Sequence, residues 1–175
     1  EFPVMAAIGQ SNNNYTTVQL ARYVTAVANE GTVYQYTLLN RLEDSDGNVL
    51  QTFEPQVRNQ IDVLDTEEWN AIHSGMRMVV ENTKEFDVFP IEAAGKTGTA
   101  QQTGHANHGL FVGYAPYDDP EITIAVRIAN GYSSHNAATA ARNVISYYYK
   151  ETSMKDIKEM KAAGANGNIR NSVAD

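Results

Sequence analysis

The sequence predicts an α+β fold, an antiparallel sheet with packed helices, and three observations carry that expectation. Three strand-like runs, residues 93–101, 109–115 and 121–129, follow one another at hairpin distance. Amphipathic helix patterns occur after Thr16, after Asp65 and after Asn136. The 175 residues, 42% of them apolar, suffice for one domain with its own core.

Thr16 or Thr17 can cap the first helix, because a hydroxyl accepts from the free N–H groups of the first turn. Leu20, Val24, Val27 and Ala28 then fall at helical spacing, and Gly31 is a natural stop in the left-handed conformation. A hairpin is expected next. Tyr34 to Leu42 is rich in β-branched and aromatic residues, Asp44-Ser45-Asp46-Gly47-Asn48 is turn chemistry, Val49 to Phe53 returns, and Pro55 closes the unit. Asp65 and Glu68 have capping-box spacing at the start of a second helix. Trp69, Ile72, Met76, Val79 and Val80 recur on one face of it, and it ends near Asn82.

Residues 83–90 read as a loop, and Pro116-Tyr117-Asp118-Asp119-Pro120 as the turn between the last two strands. The last helix, residues 136–149, places Ala138, Ala141, Val144, Ile145 and Tyr148 on one side, and the Tyr147-Tyr148-Tyr149 run is read as its core-facing end. Beyond Lys150 the chain turns polar, with a thin apolar stripe (Met154, Ile157, Met160) that supports only a frayed helix. The organisation expected is therefore a domain over 1–150 and a mobile tail over 151–175.

Composition excludes several classes. A net charge of -8 argues against a general nucleic-acid binder, which needs clustered Lys and Arg. It also argues against docking on anionic lipid. With no cysteine, disulfides and thiolate metal sites are ruled out. No run approaches the roughly 20 apolar residues of a membrane span, and Glu1-Phe2-Pro3-Val4-Met5 lacks the pattern of a signal peptide. The chain as given is expected to be soluble, with any anchor or export signal belonging to a longer parent.

The chemistry sits in Lys96-Thr97-Gly98-Thr99-Ala100. Gly98 lets a substrate backbone lie flat against a strand. Lys96 offers a fixed positive charge to a carboxylate or to a proton network near a nucleophile. Thr97 and Thr99 bring hydroxyls, and the Thr99 N–H is a candidate oxyanion donor. Lys96 and Thr99 are the catalytic candidates; Thr97, Gly98 and Thr99 are the substrate-binding candidates. A Lys-Thr-Gly strand is one of three elements of the serine acyl-transferases that handle penicillin and peptidoglycan. The element that carries the nucleophile, Ser-x-x-Lys, occurs nowhere in this sequence.

Other polar groups have plainer readings. Ser11-Asn12-Asn13 and Ser134-His135-Asn136 match Ser-x-Asn, the third element of those acyl-transferases, but neither lies where that element should, so capping or loop polarity explains them better. His105 and His108 are three apart with no obvious third ligand, and no metal or other cofactor is expected. Ser74, Ser133, Ser134 and Ser146 sit in no recognisable nucleophile turn. Asp44 and Asp46 lack a calcium-loop pattern and read as turn formers.

Several motifs agree in order and spacing over residues 5–149: Ile8-Gly9-Gln10, Gln19-Leu20-Ala21, Ala28-Asn29-Glu30-Gly31, Lys96 to Ala100, and Phe111-Val112-Gly113-Tyr114-Ala115-Pro116. In these the chain resembles the transpeptidase domain of the class B, monofunctional, high-molecular-weight penicillin-binding proteins, covering its C-terminal part. The resemblance implies the penicillin-binding protein/serine β-lactamase-like fold and a serine D,D-transpeptidase that crosslinks peptidoglycan stem peptides ending in D-Ala-D-Ala. It implies acylation by β-lactam antibiotics at the same site.

By the same resemblance, Lys96 joins the polar network facing the nucleophile and Thr97 and Thr99 contact the terminal carboxylate. The Thr99 N–H completes the oxyanion hole. The parent would be membrane-anchored and work on the extracytoplasmic face of the bacterial membrane. The family's nucleophile and Ser-x-Asn precede the region this chain covers, so the chain alone is expected not to be catalytic, and the missing N-terminal half of the domain is a partner. Gly9-Gln10-Ser11 also departs from the family's Gly-Gln-Gly. The strand near 121–129 normally pairs with that half, so self-association through it is expected if the chain stands alone. Two alternatives stay open: a non-enzymatic binding module with this fold, and a serine β-lactamase-like hydrolase.

Overall fold

The computed structural model describes residues 3–7, 9–10 and 13–159. A short helix, α1 (Pro3–Ala7), opens it. The first long helix, α2 (Thr17–Ala28), is capped by Thr16. The Thr16 hydroxyl accepts from the Gln19 N–H, and the Gln19 side chain accepts from the Thr16 N–H. The helix ends through Glu30 (φ 48°) and Gly31 (φ 96°), with the Gly31 N–H donating to the Ala26 carbonyl at 2.7 Å. A Cβ on Gly31 would also meet the Ile61 oxygen at 2.2 Å, so both conformation and space demand glycine there.

Residues 34–42 do not form one strand. β1 (Thr32–Tyr34) pairs antiparallel with β4 (Val57–Gln60), a strand the sequence pattern did not announce. β2 (Arg41–Glu43) pairs with β3 (Val49–Thr52). The turn between β2 and β3 is the expected one: Asp44 Oδ1 accepts from the Asp46 and Asn48 N–H groups. Both strands of this hairpin are exposed throughout, so no apolar alternation marked them.

Helix α3 (Thr66–Glu81) is N-capped by Asp65 in a reciprocal box with Glu68. After it, the segment read as a loop contains a 3-10 turn (Lys84–Phe86) that buries Phe86. Strands β5 (Ala94–Ala100), β6 (His108–Ala115) and β7 (Ile122–Ile128) then form one antiparallel sheet in the order β5-β6-β7, as expected. Helix α4 (Ser134–Tyr148) begins two residues earlier than expected because Ser133 caps it. Helix α5 (Met154–Lys158) has a capping box of Ser153 and Asp156. Thus at least this much of the polar C-terminal region is ordered into a helix; residues 160–175 lie outside the described residues.

The sheet separates two apolar layers. Phe111 and Ala115 of β6 face α4, where Ala137, Ala138, Ala141 and Ile145 pack with Phe86 and Val80. Small residues on α4 let the helix approach the sheet closely: a Cβ on Gly109 would lie 2.3 Å from the Ser133 oxygen. On the other face Ala94 and Tyr114 meet Val24 and Ala28 of α2, with Met76 of α3 alongside. Thr25 and Thr123 hydroxyls, 2.8 Å apart, tie α2 to β7.

The buried face of α4 is rotated from the expected one. Val144 and Tyr148 are exposed, while Arg142 and Ser146 are buried. Of the tyrosine run only Tyr149 packs on the core, its hydroxyl donating to the Ala115 carbonyl at 3.2 Å.

Candidate active-site strand

Among the described residues β5 lies at the edge of the sheet, paired with β6 alone. Directly opposite residues in an antiparallel pair share a face. Lys96 stands opposite Val112 and Gly98 opposite Leu110, on the α2 side of the sheet. Thr97 stands opposite Phe111 and Thr99 opposite Gly109, on the α4 side. The pleat therefore splits the four residues between faces. What they share is the open edge.

Lys96 is exposed, and its Nζ donates to the Thr97 carbonyl at 2.7 Å. The Thr97 carbonyl thus accepts a bond from the side chain of its own strand neighbour. Main-chain groups alternate in direction along a strand, so Thr97 and Thr99 direct their N–H and C=O groups to the same side. The ammonium group and two half-buried threonines are thereby gathered within four consecutive residues.

Two glycines in this strand answer to different constraints. A Cβ on Gly95 would collide with the Phe111 ring at 2.4 Å, so the core requires that glycine. A Cβ on Gly98 would meet only Leu110 Cβ at 3.5 Å, an ordinary contact. Internal packing does not explain Gly98.

The remaining polar candidates are dispersed. Ser133 and Ser146 are fully buried and Ser134 nearly so, while Ser74 is on the exposed side of α3. His73 Nε2 contacts the Val27 carbonyl, His108 Nδ1 accepts from the Asn130 N–H, and His135 Nδ1 meets Glu85 at 2.8 Å. Among the described residues none of these rings is bonded to a serine hydroxyl, and no three His, Asp or Glu side chains gather as a metal site. Ser11 lies outside the described residues.

Sequence reasoning missed the Glu85–His135 pair, which joins the 3-10 turn to the start of α4, because the two are fifty residues apart. It also missed the close seat of α4 on Gly109; a glycine inside a strand pattern was the available signal.

The family model described as the penicillin binding protein transpeptidase domain matches residues 4–146. The chain belongs to this family. Peptidoglycan D,D-transpeptidase MrdA of Haemophilus influenzae is 31% identical over 170 residues, covering 85% of this chain and 26% of that protein. Penicillin-binding protein 2A of Bacillus subtilis is 30% identical over 173 residues, covering 86% of this chain and 24% of its own length. The chain thus spans about a quarter of the length of these curated relatives.

Among solved structures, Pseudomonas aeruginosa PBP2 in complex with WCK 5153 superposes with a TM-score of 0.67 at 28% identity, covering 83% of this chain and 33% of that one. The imipenem acyl-enzyme complex of penicillin-binding protein A from M. tuberculosis gives a TM-score of 0.71 at 23% identity, over 81% of this chain and 32% of that one, a likeness of fold. The α+β class and the transpeptidase-family resemblance read from the sequence are both met. Among the described residues no helix is long and apolar enough to cross a membrane.

Proposed function

We propose that this chain forms one wall of the acylation cleft of a peptidoglycan D,D-transpeptidase that β-lactams also acylate. The single observation that carries the reading is the Lys-Thr-Gly-Thr sequence on the edge strand of the three-stranded sheet, with the Lys96 side chain exposed.

In this role Lys96 holds positive charge beside the serine nucleophile, which a longer parent polypeptide supplies. Its side chain is exposed and its Nζ is bonded to the Thr97 carbonyl of the same strand, so it reaches solvent without crossing a core. Thr97 and Thr99 receive the terminal carboxylate of a D-Ala-D-Ala stem peptide, or the carboxylate of the drug. The Thr99 N–H donates to the oxyanion as the tetrahedral intermediate forms; loss of one such donor costs roughly 2.7–4 kcal/mol in a studied protease. Gly98 lets the substrate backbone lie along the strand.

In the same reading the parent is anchored in the membrane and acts outside it. β7 has no strand on its other side among the described residues. Its open edge takes a further strand, from the rest of the parent or from a second copy.

Labelling with a fluorescent penicillin tests the reading. The 175-residue chain alone is expected to remain unlabelled, and the parent extended upstream to be labelled covalently. Lys96→Ala in that parent should cut the acylation rate by two orders of magnitude or more. Acylation of the Lys96→Ala parent at the unmodified rate would remove Lys96 from the chemistry, and labelling of the isolated chain would reveal a nucleophile within it.

A further inference from the structure

We propose that β2 is a self-complementary edge through which two copies of this chain pair, separate from the β5 and β7 edges. Residues 32–60 form a two-stranded ribbon. β1 pairs with β4, the Gln35 N–H donates to the Gln56 carbonyl, the Phe53 N–H to the Asn40 carbonyl, and β2 pairs with β3. The outer part of the ribbon stands in solvent, with every residue of β2 and β3 exposed. Among the described residues no third strand lies beside β2.

Bonds at both ends of β2 fix which of its main-chain groups are open. The Asn40 carbonyl accepts from the Phe53 N–H, and the Asp44 N–H donates to the Asn48 carbonyl, both on the β3 side. Main-chain groups alternate in direction along a strand, so Leu42 also faces β3, while Arg41 and Glu43 turn their N–H and C=O groups to the outer edge. The bulge leaves this order intact. Leu42 stands opposite Gln51 and Glu43 opposite Val49, so the extra residue, Leu50, belongs to β3.

A second copy laid antiparallel and centred on Leu42 matches this edge residue for residue. Arg41 then stands opposite Glu43 of the second copy and Glu43 opposite its Arg41, each pair exchanging both main-chain bonds. Leu42 meets its own counterpart at the close, non-hydrogen-bonded position, where Cα atoms lie about 4.5 Å apart. Opposite charges directly across such a pair are stabilising and like charges destabilising. The order Arg-Leu-Glu therefore makes the strand complementary to itself under a two-fold axis. Arg41 and Glu43 already form an ion pair within the strand, so the paired edges bring together charges of alternating sign. Leu38 and Leu39 at the bend of the ribbon, and Leu50, are exposed too and add apolar surface beside the contact. The contact is small, which makes the association weak and covalent trapping the suitable readout.

The sequence has no cysteine, so Leu42→Cys gives the full chain one thiol at the centre of the contact. The expected Cα separation lies within disulfide range, and oxidation with copper phenanthroline should yield covalent dimer. In the Leu42→Cys chain, either Arg41→Glu or Glu43→Arg sets like charges across both pairs and should slow crosslinking about tenfold or more. Mixing these two variants, carrying tags of different size, restores opposite charges and should give mixed dimer at about the rate of the Leu42→Cys chain. Both positions are exposed, so circular dichroism should show the fold unchanged in each variant. Absence of covalent dimer, crosslinking indifferent to the charge reversals, or mixed variants crosslinking no faster than either alone would each overturn the proposal. Association through the β7 edge gives the second of these results, because that strand carries neither charge.

Discussion

Gly109 lies so close to Ser133 that a Cβ on the glycine would stand 2.3 Å from the serine carbonyl oxygen. The obstructing atom is backbone at the cap of α4, which cannot rotate aside as a side chain would. Gly109→Ala must therefore push the start of α4 off the sheet. Overpacking of this kind typically costs about 1–3 kcal/mol, so thermal unfolding should show Tm lowered by roughly 2–4 °C per kcal/mol.

Gly98→Ala should behave in the opposite way. The added methyl meets Leu110 Cβ at 3.5 Å, and Gly98 is not among the glycines with positive φ. Stability is expected to stay level or rise, by up to about 1 kcal/mol, because alanine loses less chain entropy on folding. Penicillin acylation of the extended parent should still fall, since the methyl occupies the strand surface proposed to receive substrate. An unchanged acylation rate would show that Gly98 serves only the strand.

Tyr114 is fully buried, its hydroxyl has no partner, and burial, with Tyr117 nearby, pushes its pKa up to about 12. The folded-state value thus lies above the unfolded one, near 10. Its contribution to stability is complete below pH 10 and is lost as pH rises from 10 through 12. A shift of this size corresponds to about 3 kcal/mol at most. Tyr114→Phe removes the group and leaves no stranded hydroxyl, so stability near pH 7 should hold or improve slightly, and the alkaline decline should become shallower. Tyrosinate absorbance followed together with unfolding between pH 9 and 12.5 checks both.

Asp65→Ala removes the side-chain acceptor of the Glu68 N–H and keeps the main-chain N–H at position 65 that donates to the Glu68 carboxylate, so one of the two bonds of the box is lost. Loss of an N-cap of this kind costs about 1 kcal/mol. Denaturant unfolding should show a lower midpoint with an unchanged slope, since the surface exposed on unfolding is the same.

Much of this was legible along the chain. The caps at Thr16 and Asp65, the Asp44–Asn48 turn and the β5-β6-β7 hairpins are local, set by hydroxyl, carboxylate and turn chemistry within a few residues. β4 was not legible, because Val57-Arg58-Asn59-Gln60 is exposed and gains its strand form only by pairing with β1 more than twenty residues away. The Phe86 turn was hidden for a similar reason: its burial depends on stacking against Phe111, 5.5 Å between ring centres.

The candidate site divides the same way. Lys96, Thr97, Gly98 and Thr99 were picked out by residue type and spacing, which fix what chemistry the strand can offer. That they occupy the edge strand of the described sheet and that Gly95 rather than Gly98 is demanded by the core were decided by register against β6. Likewise, helical periodicity announced α4, while the rotation that buries Arg142 and exposes Val144 came from how the helix seats on Gly109 and Phe111. Short-range hydrogen bonding and patterning are written in neighbouring residues. Which face is covered, and which donors remain open, depends on contacts between segments far apart in sequence.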